Sequence, residues 1–223
     1  MEKKKIIIFS HGFGVKKDDR GLFTDIAASL PGYISVMFDY NDVDEENNTF
    51  TIMPFSEQVD MLTRVVREQK SNYPDADIYL ICHSQGSRVA ALAKITGIQK
   101  TIMIAPPVDA GFARTITRYK NNPNAYIDLE GVSELPRSDG SRTLVPAKYW
   151  EERKNERSPI LDFNELVELT DLYIIKAKQD NVTGDTLFEG LADDVTLLVL
   201  DGDHDFTNTR NLLCEEIKNI LNS

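Results

Sequence analysis

The sequence predicts an α/β protein built on a six-stranded, mostly parallel sheet with helices on both faces. Short runs rich in Ile, Val, Leu and aromatic residues recur at 5–9, 33–38, 77–82, 100–104, 171–178 and 195–200. Between most of them lie segments whose apolar residues repeat at helical spacing. The first run, Lys5-Ile6-Ile7-Ile8-Phe9, has no polar alternation, as expected of a strand covered on both faces. Strand, helix, strand repetition needs right-handed crossovers and so implies a parallel sheet.

The elements follow in order. Leu22, Phe23, Ile26 and Leu30 form a helical stripe, and Pro31-Gly32 stops it before the second strand. The acidic stretch 41–49 reads as a solvated connection. Phe55, Val59, Leu62 and Val66, at steps of four, three and four, predict a longer helix. The third strand runs directly into a helix over 85–96 that Gly97 ends, and Pro106-Pro107 closes the fourth strand. Over 108–157 the rhythm breaks. A short helical segment precedes two extended stretches, 125–135 and 142–145, that flank Ser138-Asp139-Gly140-Ser141 and read as a β-hairpin. The chain therefore divides into a core over 1–107 and 158–223 and a small cap inserted over 108–157. A last helix over 207–221 turns Leu213, Ile217 and Ile220 or Leu221 inward.

Charge and composition exclude several functions. With 25 Lys and Arg against 36 Asp and Glu, the net charge of −11 argues against a nucleic-acid partner, which requires a basic surface to displace counterions. The apolar run after Lys3-Lys4-Lys5 stops at Ser10, short of a signal-peptide core of roughly 7–15 residues. Nothing approaches the ~20 apolar residues of a membrane span. The expectation is a soluble, cytoplasmic protein with no membrane partner. Cys82 and Cys214, far apart in sequence, read as buried apolar side chains, and neither a metal nor any other cofactor is expected.

The chemistry starts at Cys82-His83-Ser84-Gln85-Gly86, between the third strand and a small-residue helix containing Val89, Ala90, Ala91 and Ala93. A serine on such a turn is lifted clear of the sheet, and its neighbours must be small because helix and strand pass closely; G-x-S-x-G is the usual pattern. Here Cys82 replaces the first glycine. A serine hydroxyl needs a base to remove its proton and an acid to orient that base. Of the three histidines, His83 adjoins the serine with its side chain expected to point away, and His11 ends the first strand. His204 remains as the base, in Asp201-Gly202-Asp203-His204-Asp205-Phe206 just past the last strand, on the edge where such sheets place their chemistry. Asp180, two residues beyond the penultimate strand, is the candidate acid, with Asp185 as the fallback. The backbone amides of Phe13, in Ser10-His11-Gly12-Phe13-Gly14, and of Gln85 are the candidate oxyanion donors.

His11-Gly12, His83-Ser84-Gln85-Gly86, Asp180 and His204 together resemble the α/β-hydrolase superfamily, and the resemblance spans nearly the whole chain outside the insertion. It implies a sheet in the order 2-1-3-4-5-6, with 108–157 as the cap. Within the superfamily the chain resembles small bacterial carboxylesterases, including the feruloyl (cinnamoyl) esterase type with a compact cap. The reaction implied is hydrolysis of small or medium acyl or aryl esters through an acyl-enzyme, with a small-molecule ester as partner. A thioesterase or amidase would use the same groups. A catalytically idle binding module should have lost a triad residue or an oxyanion glycine, whereas the departure here is Cys82.

Trp150 and Tyr126 are the candidate pocket residues, from an aromatic stock that includes Phe112, Tyr119 and Tyr149; most of these are expected simply to pack the cap. Pairing of two copies through the cap is compatible with the sequence, but no residue demonstrates it. Asp201, Asp203 and Asp205 imitate the start of a calcium loop, yet Phe206 and Leu212 stand where that loop needs Gly and Glu.

Overall fold

Two sheets, one of six strands and one of four, organise the protein. The computed structural model describes residues 3–109, 111–137, 139–183 and 188–223. Its elements are β1 (Lys5–Ser10), α1 (Leu22–Ser29), β2 (Ile34–Met37), β3 (Asp42–Asp44), β4 (Thr49–Thr51), α2 (Phe55–Asn72), β5 (Asp77–His83), α3 (Gln85–Ala93), β6 (Lys100–Ile104) and α4 (Phe112–Lys120). They continue with β7 (Val132–Pro136), β8 (Arg142–Pro146), α5 (Ala147–Lys154), α6 (Pro159–Leu166), β9 (Asp171–Ala177), β10 (Thr196–Leu200) and α7 (Arg210–Asn222).

The larger sheet runs β10-β9-β6-β5-β1-β2, with every neighbouring pair parallel. Counted along its own six strands this is the expected order 2-1-3-4-5-6. Strand periodicity explains the uninterrupted apolar run of β1: Ile7 and Phe9 join a core with Leu22, Ile26 and Ile217 on one face, while Ile6 and Ile8 join Leu62, Val66 and Val89 on the other. The helices α1 and α7 thus cover one face and α2 and α3 the opposite one. The neighbouring helix α6 packs Ile160 and Phe163 against Ala91, Met103 and Ile174. Cys82 and Cys214 are both buried and unbridged.

The smaller sheet departs from expectation. Its order is β3-β4-β8-β7, with β3–β4 and β7–β8 antiparallel and β4–β8 parallel. The hairpin β7–β8 is the one expected within 108–157; of its turn residues, Ser138 lies outside the described residues. The stretch 41–49, expected to be a solvated connection, contributes β3 and part of β4 instead. The reason is tertiary. Phe50 is buried opposite Thr143, and the ladder continues through Arg142 N–H to Asn48 O and Ile52 N–H to Leu144 O. The acidic side chains of Asp42 and Asp44 meanwhile stay exposed. Tyr149 and Trp150 of α5 are buried in the same apolar cluster as Ile8 and Leu62, so the inserted segment and the core share one interior.

Candidate active site

Ser84 occupies the turn from β5 into α3 with φ 49° and ψ −119°, a conformation that non-glycine residues rarely adopt and that costs about 1–3 kcal/mol. The surrounding sheet holds it there: Ser84 N–H donates to Ile104 O at 2.9 Å. Close packing accounts for Gly86, since a Cβ at that position would lie 2.0 Å from the Ser10 carbonyl oxygen. Cys82 sits within β5, fully buried, in register with Ser10 and Met103. Burial pushes its thiol pKa up, which makes it a packing group rather than a reactive one.

The hydrogen-bond patterns of His11 and His83 fix their protonation. His11 Nδ1 donates to Gly12 O at 2.8 Å, while its Nε2 accepts from Tyr40 N–H at 2.9 Å. It is therefore the neutral Nδ1–H tautomer, and burial lowers its pKa accordingly. It pins the loop after β1. His83 faces acceptors on both sides, Asp19 Oδ2 at 2.8 Å from Nδ1 and His204 O at 3.1 Å from Nε2. Two acceptors call for two N–H donors, so His83 is an imidazolium. Burial opposes that charge, but Asp19, Asp205 and the His204 carbonyl outweigh it and raise the His83 pKa. Contrary to the expectation that it points away, His83 lines the cavity that also holds Ser84 and His204, with its ring centre 4.9 Å from that of His204.

His204 lies beyond β10, with Nδ1 2.8 Å from Asp180 Oδ2. The Asp180 carboxylate is fully supported. Its Oδ1 accepts from the backbone N–H groups of Val182 and Thr183 at 2.8 and 2.9 Å, and Oδ2 also accepts from Thr183 Oγ1 at 2.7 Å. Burial alone would raise its pKa, but the bonds from His204 and Thr183 hold it at about 2. An ionised Asp180 keeps the Nδ1–H on His204 and leaves Nε2 as the basic nitrogen. Ser84 and His204 line one cavity of about 340 Å³ together with Phe13. Asp185 falls outside the described residues.

The two residues expected to supply oxyanion amides border one cavity. Phe13 and Gln85 both line a second cavity of about 350 Å³ that also contains Ser84. Gln85 N–H opens α3 and so has no partner one turn back. The side chain of Gln85, which the sequence did not single out, accepts from Tyr149 Oη at 2.6 Å and donates to Gln58 Oε1 at 3.1 Å. This joins the turn to α5 and α2. Asp19 was also missed. It accepts from Gly12 N–H at 2.9 Å as well as from His83, and against the cost of burial these bonds bring its pKa to about 2.

The pocket expectations divide. Trp150 lines the second cavity and donates through Nε1 to Ser133 Oγ at 2.9 Å. Tyr126 does not belong there: it is 59% exposed, its backbone bridges Glu134, and it lines neither cavity. Tyr149 and Tyr119 take its place beside Trp150. The aspartates of the calcium-like stretch are otherwise engaged, Asp201 with Lys178, Asp203 with Thr207 N–H and Asp205 with Arg20. Among the described residues, His83, His204 and Asp205 bring ligand atoms within 4.8 Å of one another, but both nitrogens of His83 are committed to acceptors and have no lone pair for a metal.

Six parallel strands in this order, with a serine on the turn after β5 and an Asp–His pair beyond β9 and β10, define an α/β-hydrolase fold. The chain matches no family model and no curated protein. Solved structures nevertheless match it over nearly its whole length. Est1E from Butyrivibrio proteoclasticus is similar with a TM-score of 0.72 at 19% identity, covering 99% of this chain and 88% of that one. An esterase domain from a Rhodothermus marinus protein matches with a TM-score of 0.64 at 19% identity, over 95% of this chain and 84% of that one. An α/β serine hydrolase homologue from Coxiella burnetii matches with a TM-score of 0.63 at 17% identity, over 99% and 86% respectively. The protein thus has the α/β-hydrolase fold and resembles bacterial esterases in structure.

Proposed function

We propose that this protein is a serine hydrolase that cleaves carboxylic esters through an acyl-enzyme. One observation carries the reading: a strained Ser84 and a His204 held by Asp180 at 2.8 Å line the same cavity. Ser84 Oγ attacks the ester carbonyl while His204 Nε2 takes the hydroxyl proton. The amides of Phe13 and Gln85 hold the resulting oxyanion, each worth roughly 10²–10³ in rate. Collapse breaks the bond to the alcohol oxygen, which leaves with the proton from His204. Water, deprotonated by the same nitrogen, then attacks the acyl-Ser84 carbonyl, releasing the acid and restoring the serine.

The neighbouring structures support hydrolysis, since one is an esterase domain, one a serine hydrolase homologue, and Est1E has also been solved with ferulic acid bound. A fluorophosphonate probe tests the reading. Labelling of the native protein at Ser84, absent in Ser84→Ala and accompanied there by loss of ester turnover, is expected. Absence of an adduct on the folded native protein would overturn it. A matched set of ester, thioester and amide sharing one acyl group then ranks the leaving groups.

A further inference from the structure

The protein carries a net charge of −11, yet the described residues that line the cavity holding Ser84 and His204 carry a net positive charge. Its charged lining balances as follows. Asp19 is paired with His83, and Asp205 with Arg20 at 3.1 Å. Arg118 and Arg137 remain, and neither has a carboxylate partner within ion-pair distance among the described residues.

The adjoining cavity leads to the same side chain. Among the described residues, four arginines and no carboxylate line it. Arg88 is paired with Asp162 and Glu156, Arg153 with Glu156, and Arg114 with Asp109. Arg118, which lines both cavities, is again left over. It stands one helical turn from Arg114 on α4, on the side of that helix that faces Ser84.

Arg137 is half-buried beside the loop after β1. One of its Nη atoms donates to Phe13 O at 3.3 Å, and its guanidinium lies 6.0 Å from the Phe13 ring centre. Its side-chain partners are Tyr119, by a hydrogen bond, and Asp139, which lies beyond ion-pair distance; a cation drawn partly out of water with no carboxylate in direct contact is costly, and a guanidinium fork matches a carboxylate in both charge and shape. The residue that Arg137 touches is the one whose amide is assigned to the oxyanion. Arg137 and Ser84 line the same cavity, so an anion on Arg137 shares that cavity with the reacting carbonyl.

We infer that the substrate is an anionic ester, a short-chain half-ester of a dicarboxylic acid, whose free carboxylate is received by Arg118 and Arg137 in the cavity of Ser84 and His204. This rests on the serine-esterase reading and adds its substrate class. It also gives a use to the positive charge of a cavity in an otherwise acidic protein.

Monomethyl and dimethyl succinate share a carbon skeleton and differ by one charge. For the native protein at neutral pH, kcat/KM for the monoanion should exceed that for the neutral diester tenfold or more. Arg118→Gln, an exposed change on α4, should cut this ratio at least fivefold, Arg118→Glu should cut it further, and Arg137→Gln should act in the same direction. A ratio near or below one in the native protein, or a ratio that none of these substitutions alters, would overturn the inference. A calorimetric arm separates it from the reading beneath it. Ser84→Ala should bind monomethyl succinate at least tenfold more tightly than does the Ser84→Ala, Arg118→Gln double variant. If neither ester is turned over, the esterase reading falls; the calorimetry still decides, and equal affinities there would overturn charge recognition by itself.

Discussion

His83 Nδ1 lies 2.8 Å from Asp19 Oδ2, with both side chains only 2% exposed, so a second imidazole–carboxylate pair stands beside that of His204 and Asp180. The two imidazole rings are 4.9 Å apart between centres. Asp19 also receives Gly12 N–H, and His83 donates to the His204 carbonyl. One buried pair therefore ties the loop after β1, the Ser84 turn and the His204 loop together.

Asp19→Asn keeps the volume and removes the charge. It should lower kcat on the order of 10–100-fold with little change in KM, because small displacements of reacting groups are expensive. Steady-state kinetics check the split, and the pH profile of kcat should move as His83 loses the carboxylate that keeps it protonated. A variant that only melts earlier, with native kcat and pH profile, would reduce the pair to a structural role.

The same pair gives a pH dependence of folding. Asp19 and Asp180, each held at about 2 against an ordinary 3.8, contribute stability that is complete above pH 3.8 and lost as pH falls toward 2. His83, raised from 6.5, contributes stability that is complete below pH 6.5 and lost as pH rises through its folded value. In urea denaturation across pH, the stability that the native protein holds over Asp19→Asn should therefore be greatest between about pH 4 and 6.5 and shrink on both sides.

Asp180→Asn should lower kcat by about 10³–10⁴-fold while leaving the circular dichroism spectrum unchanged, since an amide favours the wrong tautomer of His204. Full activity in that variant would remove Asp180 from the mechanism.

Gly86→Ala places a methyl group 2.0 Å from the Ser10 carbonyl oxygen, a backbone atom that cannot swing aside. The expected cost is about 3 kcal/mol or more, or failure to fold. Gly32→Ala is the control, because nothing lies within 4 Å of its added Cβ, and its stability should stay within about 0.5 kcal/mol of native. Thermal melts of the two compare them directly.

What the sequence discloses follows the range of the interactions. Ile6 to Phe9, the Ser84 turn, and the placement of Asp180 and His204 after strands are local patterns; the structure makes the first an interior strand, β1, and puts Ser84, Asp180 and His204 beyond the C-terminal ends of β5, β9 and β10. The strands β3 and β4 were not legible, because three residues such as Asp42-Val43-Asp44 carry no strand signal without the distant β8 to pair with. The bond from His83 to Asp19 and the approach of Arg137 to Phe13 likewise join residues distant in sequence. Helix α6 did leave a sign, Ser158 before a proline at its first position. Tyr126 was misjudged because aromatic content does not say which side of a hairpin faces in.

The parallel pairing of β4 with β8 bears on how this protein can be trimmed or recombined. Excising 108–157 to open the serine to bulkier esters would strand the β3–β4 hairpin with an unpaired edge, in a two-stranded ribbon too small to hold itself. Such a deletion invites aggregation. Swapping the roof for that of another hydrolase therefore means exchanging two stretches of chain at once, 42–51 along with 108–157.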